Sequence, residues 1–200
     1  ETVPVPDNLR LREACANLEQ YQWIAFTSPI GVKVFFDEMK QNSVDVRKLG
    51  QVKIASIGKG TRKALEERGL FVDLMPAVFD GDSLGKALCE ACEGTEKILI
   101  PRAKIGGKEI LAQLAKKPGL IVNDVPTYDT FYEEQEIIDI KNLFENGEIQ
   151  TAVFTSASTV RGFVNAVSGL ESKSCLHWKT DQGRSRQLWY ADIYGKRGNH

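Results

Sequence analysis

Residues 23–40, WIAFTSPIGVKVFFDEMK, pass from an apolar, β-prone stretch through Thr-Ser-Pro into a segment with helical patterning. Its hinge, FTSP (26–29), ends a strand and opens a helix, where a Thr or Ser hydroxyl caps backbone N–H groups that the first turn leaves unpaired. The same alternation runs outward along the chain. VKIASIG (52–58), FVDLM (71–75), KILIP (97–101) and LIVNDVPTY (120–128) read as strands, separated by TRKALEERG (61–69), SLGKALCEAC (83–92) and GKEILAQLAKK (107–117), which read as helices. Each helix is the crossover that a parallel strand pair requires, so the expected class is α/β with parallel sheets flanked by helices. Further on, QEIIDIKNLFENG (135–147) reads as a helix, TAVFTS (151–156) as a strand and STVRGFVNAV (158–167) as a helix.

The opening unit is used twice. At an offset of 128, Phe26, Thr27, Ser28, Val32 and Phe35 meet Phe154, Thr155, Ser156, Val160 and Phe163, and Lys33 meets Arg161. A repeat over so long an offset implies two related α/β lobes with a cleft between them, since a solenoid repeats every few tens of residues.

Composition bounds the function. An apolar content of 42% with 26% charged residues in 200 residues supports a globular chain with a substantial core. No apolar run approaches the roughly 20 residues of a membrane span, and the start, ETVPVPDNLRLREA, lacks a signal-peptide layout, so the expected setting is cytoplasmic. A net charge of -1 argues against a nucleic-acid partner bound through a broad basic face. Four cysteines without a dense framework read as free thiols, and Cys89 and Cys92 form a lone CxxC without a second pair or a histidine at ligand spacing, so no metal is expected. IGKGT (57–61) is too short for a triphosphate loop, and no G-x-G-x-x-G fingerprint is present, so no nucleotide or redox cofactor is implied.

What recurs is a polar turn after a strand: TSPIG, IGKGT, FDGDS (79–83), PRAKIGG (101–107) and TSAST. In open α/β sheets the ligand crevice lies at the carboxyl ends of the strands, where helix N-termini present N–H donors to anions. The expected ligand is therefore anionic. Arg102 and Lys104 follow KILIP on that side and read either as solvated surface or as ligand contacts; Tyr128 reads either as a strand-end aromatic with its hydroxyl in water or as a site residue.

FTSPIGVKVFF, KIASIGKGTRKALEERG with the FDGDSL turn, ILIPRAKIGGKEIL, DVPTYDT and AVFTSASTVRGFV occur in the order found in uroporphyrinogen-III synthases, and the chain resembles that family over roughly residues 1–170. The resemblance implies two α/β lobes joined by extended linkers: 8–120 as a complete middle lobe, 121–133 as a crossing linker and 134–170 as a partial second lobe. It implies a lyase that cyclises hydroxymethylbilane to uroporphyrinogen III in tetrapyrrole and heme biosynthesis, losing water and inverting ring D through a spiro intermediate, as a monomer and without a cofactor. It further implies Tyr128 as the group assisting departure of the hydroxyl, with Thr27, Ser28, Thr61, Arg102, Thr155 and Ser156 binding substrate carboxylates. A catalytically impaired fragment, or a synthase part fused to a uroporphyrinogen methyltransferase, are the alternatives.

Two departures accompany the resemblance. The start, ETVPVP, is similar to the linker after the family's first strand and helix, so an opening strand is expected to be missing. Residues 171–200 change character, with both histidines, two of three tryptophans, and six Lys/Arg against three Asp/Glu. With codons chosen from those permitted, CLHWKTD (175–181) read from its second nucleotide gives a second copy of the IASIGKGT turn, and 189–200 can be read as the family's next strand and turn. The expectation is a frameshifted, aberrant tail, 171–200, that does not rebuild the family's final strands and helices and leaves the chain poorly active.

Overall fold

The computed structural model describes residues 2–130, 142–143, 146, 148 and the stretches 151–154, 176–180 and 189–193. The chain divides into two compact units, Thr2–Phe131 and, with Glu1, Tyr132–His200.

The first unit holds β1 (Thr2–Pro4), α1 (Leu9–Ala16), β2 (Trp23–Phe26), α2 (Pro29–Gln41), β3 (Lys53–Ser56), α3 (Lys59–Glu66), α4 (Gly81–Ala91), β4 (Lys97–Ala103), α5 (Glu109–Leu114) and β5 (Ile121–Thr130). Its sheet runs β1-β5-β4-β2-β3, with β5, β4, β2 and β3 parallel and β1 antiparallel at the edge. WIAFT and KILIP thus lie in one sheet, and the α/β class holds.

Strand alternation sorts the side chains onto two faces. Ile24, Phe26, Ile54, Leu99 and Val125 pack with residues of α1, α2 and α3, and Phe26 meets the Phe35 ring edge-on with centroids 5.3 Å apart. Trp23, Ala25, Ala55, Ile98 and Ile100 pack on the other face with Leu84 and Leu88 of α4 and Ile110 and Leu114 of α5. Burial on both faces is why these strands read as continuous apolar runs rather than alternating ones.

Two expectations shift here. FVDLM (71–75) is not a strand: only Leu74 makes a parallel bridge, to Ala55. The Asp73 carboxylate accepts the Ile54 N–H at 2.7 Å, so a side chain occupies the edge donor that a further strand would use. Residues 121–133, expected as a crossing linker although 120–128 also read as a strand, contribute Ile121–Thr130 as a strand that pairs with β4 from Ile121 to Tyr128 and with β1 at its end.

The second unit contributes β6 (Thr151–Phe154), β7 (Leu176–Thr180) and β8 (Trp189–Ile193) in the order β6-β8-β7. Both pairings are antiparallel, where parallel ones were expected. Within residues 171–200, expected not to rebuild the family's final strands and helices, LHWKT and WYADI form two strands whose β-prone residues a ladder accepts. The helices expected at 135–147 and 158–167 fall largely or wholly outside the described residues.

Candidate functional site

The order β5-β4-β2-β3 has a consequence for ligand placement. From β2 the chain moves outward to β3, then returns past β2 to β4 and β5, so the topological switch lies between β2 and β4. Helices leave in opposite directions there and open a crevice beyond the carboxyl ends of the two strands, which is where such sheets bind ligands. A cavity of about 200 Å³ occupies that position, lined among others by Thr27, Ile57, Arg102, Gly106, Gly107 and Tyr128.

The β2 end is built by a helix cap. Ser28 is the N-cap of α2, with Pro29 in the first turn, and its Oγ accepts the Gly31 N–H at 2.9 Å. Gly31 allows a close approach: a Cβ there would stand 3.0 Å from the Pro101 carbonyl oxygen and 3.1 Å from Ser28 Oγ, tighter than ordinary contact. The helix N-terminus thereby sits directly on the end of β4.

The β5 end is built by a bulge. Arg102 pairs with Pro126 but Ala103 with Tyr128, which leaves Thr127 as an extra residue on β5. Pro126 has no N–H to give the ladder, and Thr127 compensates by donating its hydroxyl to the Arg102 carbonyl at 3.1 Å. The slip is why Thr127, Tyr128 and Asp129 are consecutively buried. The Lys104 N–H then closes on the Tyr128 carbonyl at 2.8 Å.

Tyr128 itself is 7% exposed, and its hydroxyl donates to Ser28 Oγ at 2.9 Å. Of the two readings offered from sequence, a hydroxyl in water or a site residue, neither anticipated this bond to the α2 cap; the ring lines the cavity. Arg102 is not the solvated surface residue that one of its two readings offered. It is 6% exposed and forms a fork with Asp124, Nε to Oδ1 at 2.6 Å and Nη2 to Oδ2 at 2.9 Å, while Nη1 points to the carbonyls of Ala103 and Gly107 at 3.5 and 3.4 Å. A fork of this kind fixes the guanidinium and shapes the 103–107 turn. Asp124 was not singled out from sequence, since adjacency across parallel strands has no local signal.

Thr61 lies in the first turn of α3, is 2% exposed, and follows the N-cap Gly58, whose missing side chain leaves the first N–H groups of that helix without a side-chain cap. Of the named residues, Thr27, Arg102 and Tyr128 meet in one cavity; Ser28 touches it through Tyr128, Thr61 is not among its lining, and Thr155 and Ser156 lie outside the described residues.

The CxxC pair is structural in character. Burial pushes the Cys92 thiol up to about 11 and raises that of Cys89, which keeps both protonated at neutral pH, and Lys117 Nζ donates to the carbonyls of both residues at the end of α4.

The family model described as uroporphyrinogen-III synthase HemD matches residues 1–180. A porphyrin biosynthesis protein HemD of Ruminiclostridium josui is 35% identical over 190 residues, covering 93% of this chain and 38% of that protein. A uroporphyrinogen-III synthase of Synechococcus elongatus is 27% identical over 163 residues, covering 82% of this chain and 61% of its own. This chain thus spans 38% and 61% of the length of these two curated relatives. A mutant uroporphyrinogen III synthase of Thermus thermophilus shares the fold, with a TM-score of 0.62 at 18% identity over 83% of this chain and 64% of that one. With a family model matched across nine-tenths of its residues, the chain belongs to the uroporphyrinogen-III synthase family.

Proposed function

We propose that this chain acts in uroporphyrinogen-III synthesis, closing hydroxymethylbilane with inversion of ring D and release of water. The observation that carries the reading is the meeting of Thr27, Arg102 and Tyr128 in one cavity at the β2/β4 switch point. Its volume, about 200 Å³, is below the roughly 300–1,000 Å³ of pockets that enclose a drug-sized ligand. It suits one pyrrole ring and its carboxylate arms, with the rest of a linear tetrapyrrole outside.

The chemistry asked of such a site is modest. The C–O bond of the terminal hydroxymethyl group breaks with its electron pair passing to oxygen, and the hydroxyl leaves as water with the proton that ring closure releases from a pyrrole carbon. Tyr128 hydrogen-bonds the departing oxygen. The substrate's carboxylates find backbone N–H donors at the start of α3, beside Thr61, with the positive end of that helix behind them. Thr27 supplies a hydroxyl at the cavity wall, and Arg102 holds the glycine turn that forms its other side. Thr155 and Ser156 would serve the repeated turn in the same way as Thr27 and Ser28. Holding a self-reactive chain in one geometry is then most of the catalysis.

Incubation of the purified chain with hydroxymethylbilane, followed by separation of the oxidised product isomers, tests this. Isomer III in excess over isomer I supports the reading. Isomer I alone, at the spontaneous rate, overturns it.

A further inference from the structure

Resting on that reading and going beyond it, we propose that Ser28 is a positioning residue that carries the electrostatics of the α2 N-terminus to Tyr128, directing the phenol proton into the cavity.

Ser28 Oγ has two lone pairs and one proton. The Gly31 N–H fills one lone pair at 2.9 Å. The bond between Ser28 and Tyr128, also 2.9 Å, consumes one of the two hydroxyl protons whichever way it points. One proton is therefore always left over. It sits on Ser28 when Tyr128 donates and on Tyr128 when Ser28 donates. Tyr128 lines the cavity, whereas Ser28, half-buried, is not among its lining and meets it through Tyr128. Tyr128 can aim a proton at a ligand in that cavity only in the second arrangement, in which Gly31 N–H donates to Ser28 Oγ, Ser28 O–H donates to Tyr128 Oη, and Tyr128 O–H faces the cavity.

Moving between the two arrangements needs rotation of two hydroxyl groups and no displacement of heavy atoms. A ligand oxygen with free lone pairs selects the outward one, since the inward one offers it no donor. The helix end favours the same direction: an oxygen already accepting from a backbone N–H at the positive end of a helix is a stronger donor, and each bond in the chain polarises the next. Ser28, read from sequence as a carboxylate contact, is thereby assigned to acting through Tyr128.

Three substitutions in the full 200-residue chain separate this from simple capping. Ser28→Ala removes cap and donor together. Ser28→Asp keeps an acceptor for the Gly31 N–H, and so the cap, but an ionised carboxylate has no proton to give and draws the phenol proton toward itself. Ser28→Thr keeps both functions. The expected result is a melting temperature for Ser28→Asp close to that of wild type with kcat lowered about tenfold or more and KM changed less than about threefold. Ser28→Thr should restore most of the rate lost in Ser28→Ala. Equal kcat for the Asp and Thr variants, or a loss in the Ala variant that Thr does not rescue, overturns the proposal.

A second readout is independent of turnover. With tyrosine isotopically labelled at Cζ, the Tyr128 resonance should move in the Ala and Asp variants and return in the Thr variant. An unmoved resonance overturns the Ser28–Tyr128 coupling. A wild-type chain that makes no isomer III overturns the proposed activity instead, and the labelled spectra still decide the coupling.

Discussion

The two ends of the parallel sheet are both polar, and they differ in what their polar groups are bonded to. At the amino ends, Asn123 Nδ2 donates to the Tyr21 hydroxyl at 2.6 Å, Gln22 Oε1 accepts the Lys97 N–H at 2.8 Å, the Lys97 ammonium bonds Gln20 and lies 5.1 Å over the Tyr21 ring, and Arg10 is taken by the Asp124 carbonyl. At the carboxyl ends, the first turn of α3 lacks a side-chain cap and the Ser28–Tyr128 pair keeps one proton in reserve. The amino-end groove is the larger, about 470 Å³ against about 200 Å³. Size alone does not choose between the two ends. The amino-end groove offers the side chains of Arg10 and Lys97, each with donors beyond the one bond it makes, whereas the carboxyl ends offer backbone N–H groups at a helix start and a hydroxyl proton at Tyr128.

The largest expected effect is at Tyr128. Tyr128→Phe removes the only hydroxyl that β5 brings to the cavity and should lower the rate of isomer III formation about 100-fold while changing KM little, as judged by steady-state kinetics. A rate within a factor of two of wild type would remove the carboxyl end's claim to the chemistry. Gly31→Ala comes next. Its Cβ meets a backbone carbonyl that cannot swing aside, so α2 must shift and take Ser28 with it; destabilisation of about 1–3 kcal/mol by chemical denaturation, with a reduced rate, is expected.

The amino end should behave in the opposite way. Asn123→Ala leaves the buried Tyr21 hydroxyl, whose ionisation burial already disfavours, without its partner. A stability loss of about 1 kcal/mol with an unchanged isomer ratio is expected, and a change in the ratio would blur the distinction between the ends.

The smallest effect belongs to the turn before β4. The Glu96 carboxylate accepts N–H bonds from Glu93, Gly94 and Thr95, which hold it down at about 2. A depressed carboxylate contributes stability that is present above its unfolded value of 4.5 and lost as pH falls toward 2. Partial exposure discounts it, so Glu96→Gln should lower the melting temperature by roughly 2–4 °C at pH 7 and by nothing near pH 2. A difference that persists in acid would point to packing instead of charge.

The strand–turn–helix units were legible because their signals are local: apolar runs, a capping Ser28, a Pro29 suited to the first turn. Tyr128 was legible as a strand-end tyrosine within a family pattern. Strand order was not, since nothing in KILIP says that it sits beside WIAFT rather than beyond VKIAS. The same gap hid the Arg102–Asp124 fork and the bulge at Thr127, both of which depend on cross-strand register. FVDLM misled because its apolar residues met an edge already occupied by the Asp73 carboxylate. In the tail, charge balance and codon reading gave no sign of the pairing of LHWKT with WYADI.

The most direct measurement is amide chemical-shift mapping of the chain with anaerobic uroporphyrinogen III. Binding at the carboxyl ends predicts shifts clustered at Gly31, at Lys59 to Thr61 and at Ala103 to Gly107, with Gln20, Tyr21, Lys97 and Asn123 unmoved. Shifts concentrated on the second set, with the first set silent, would contradict it.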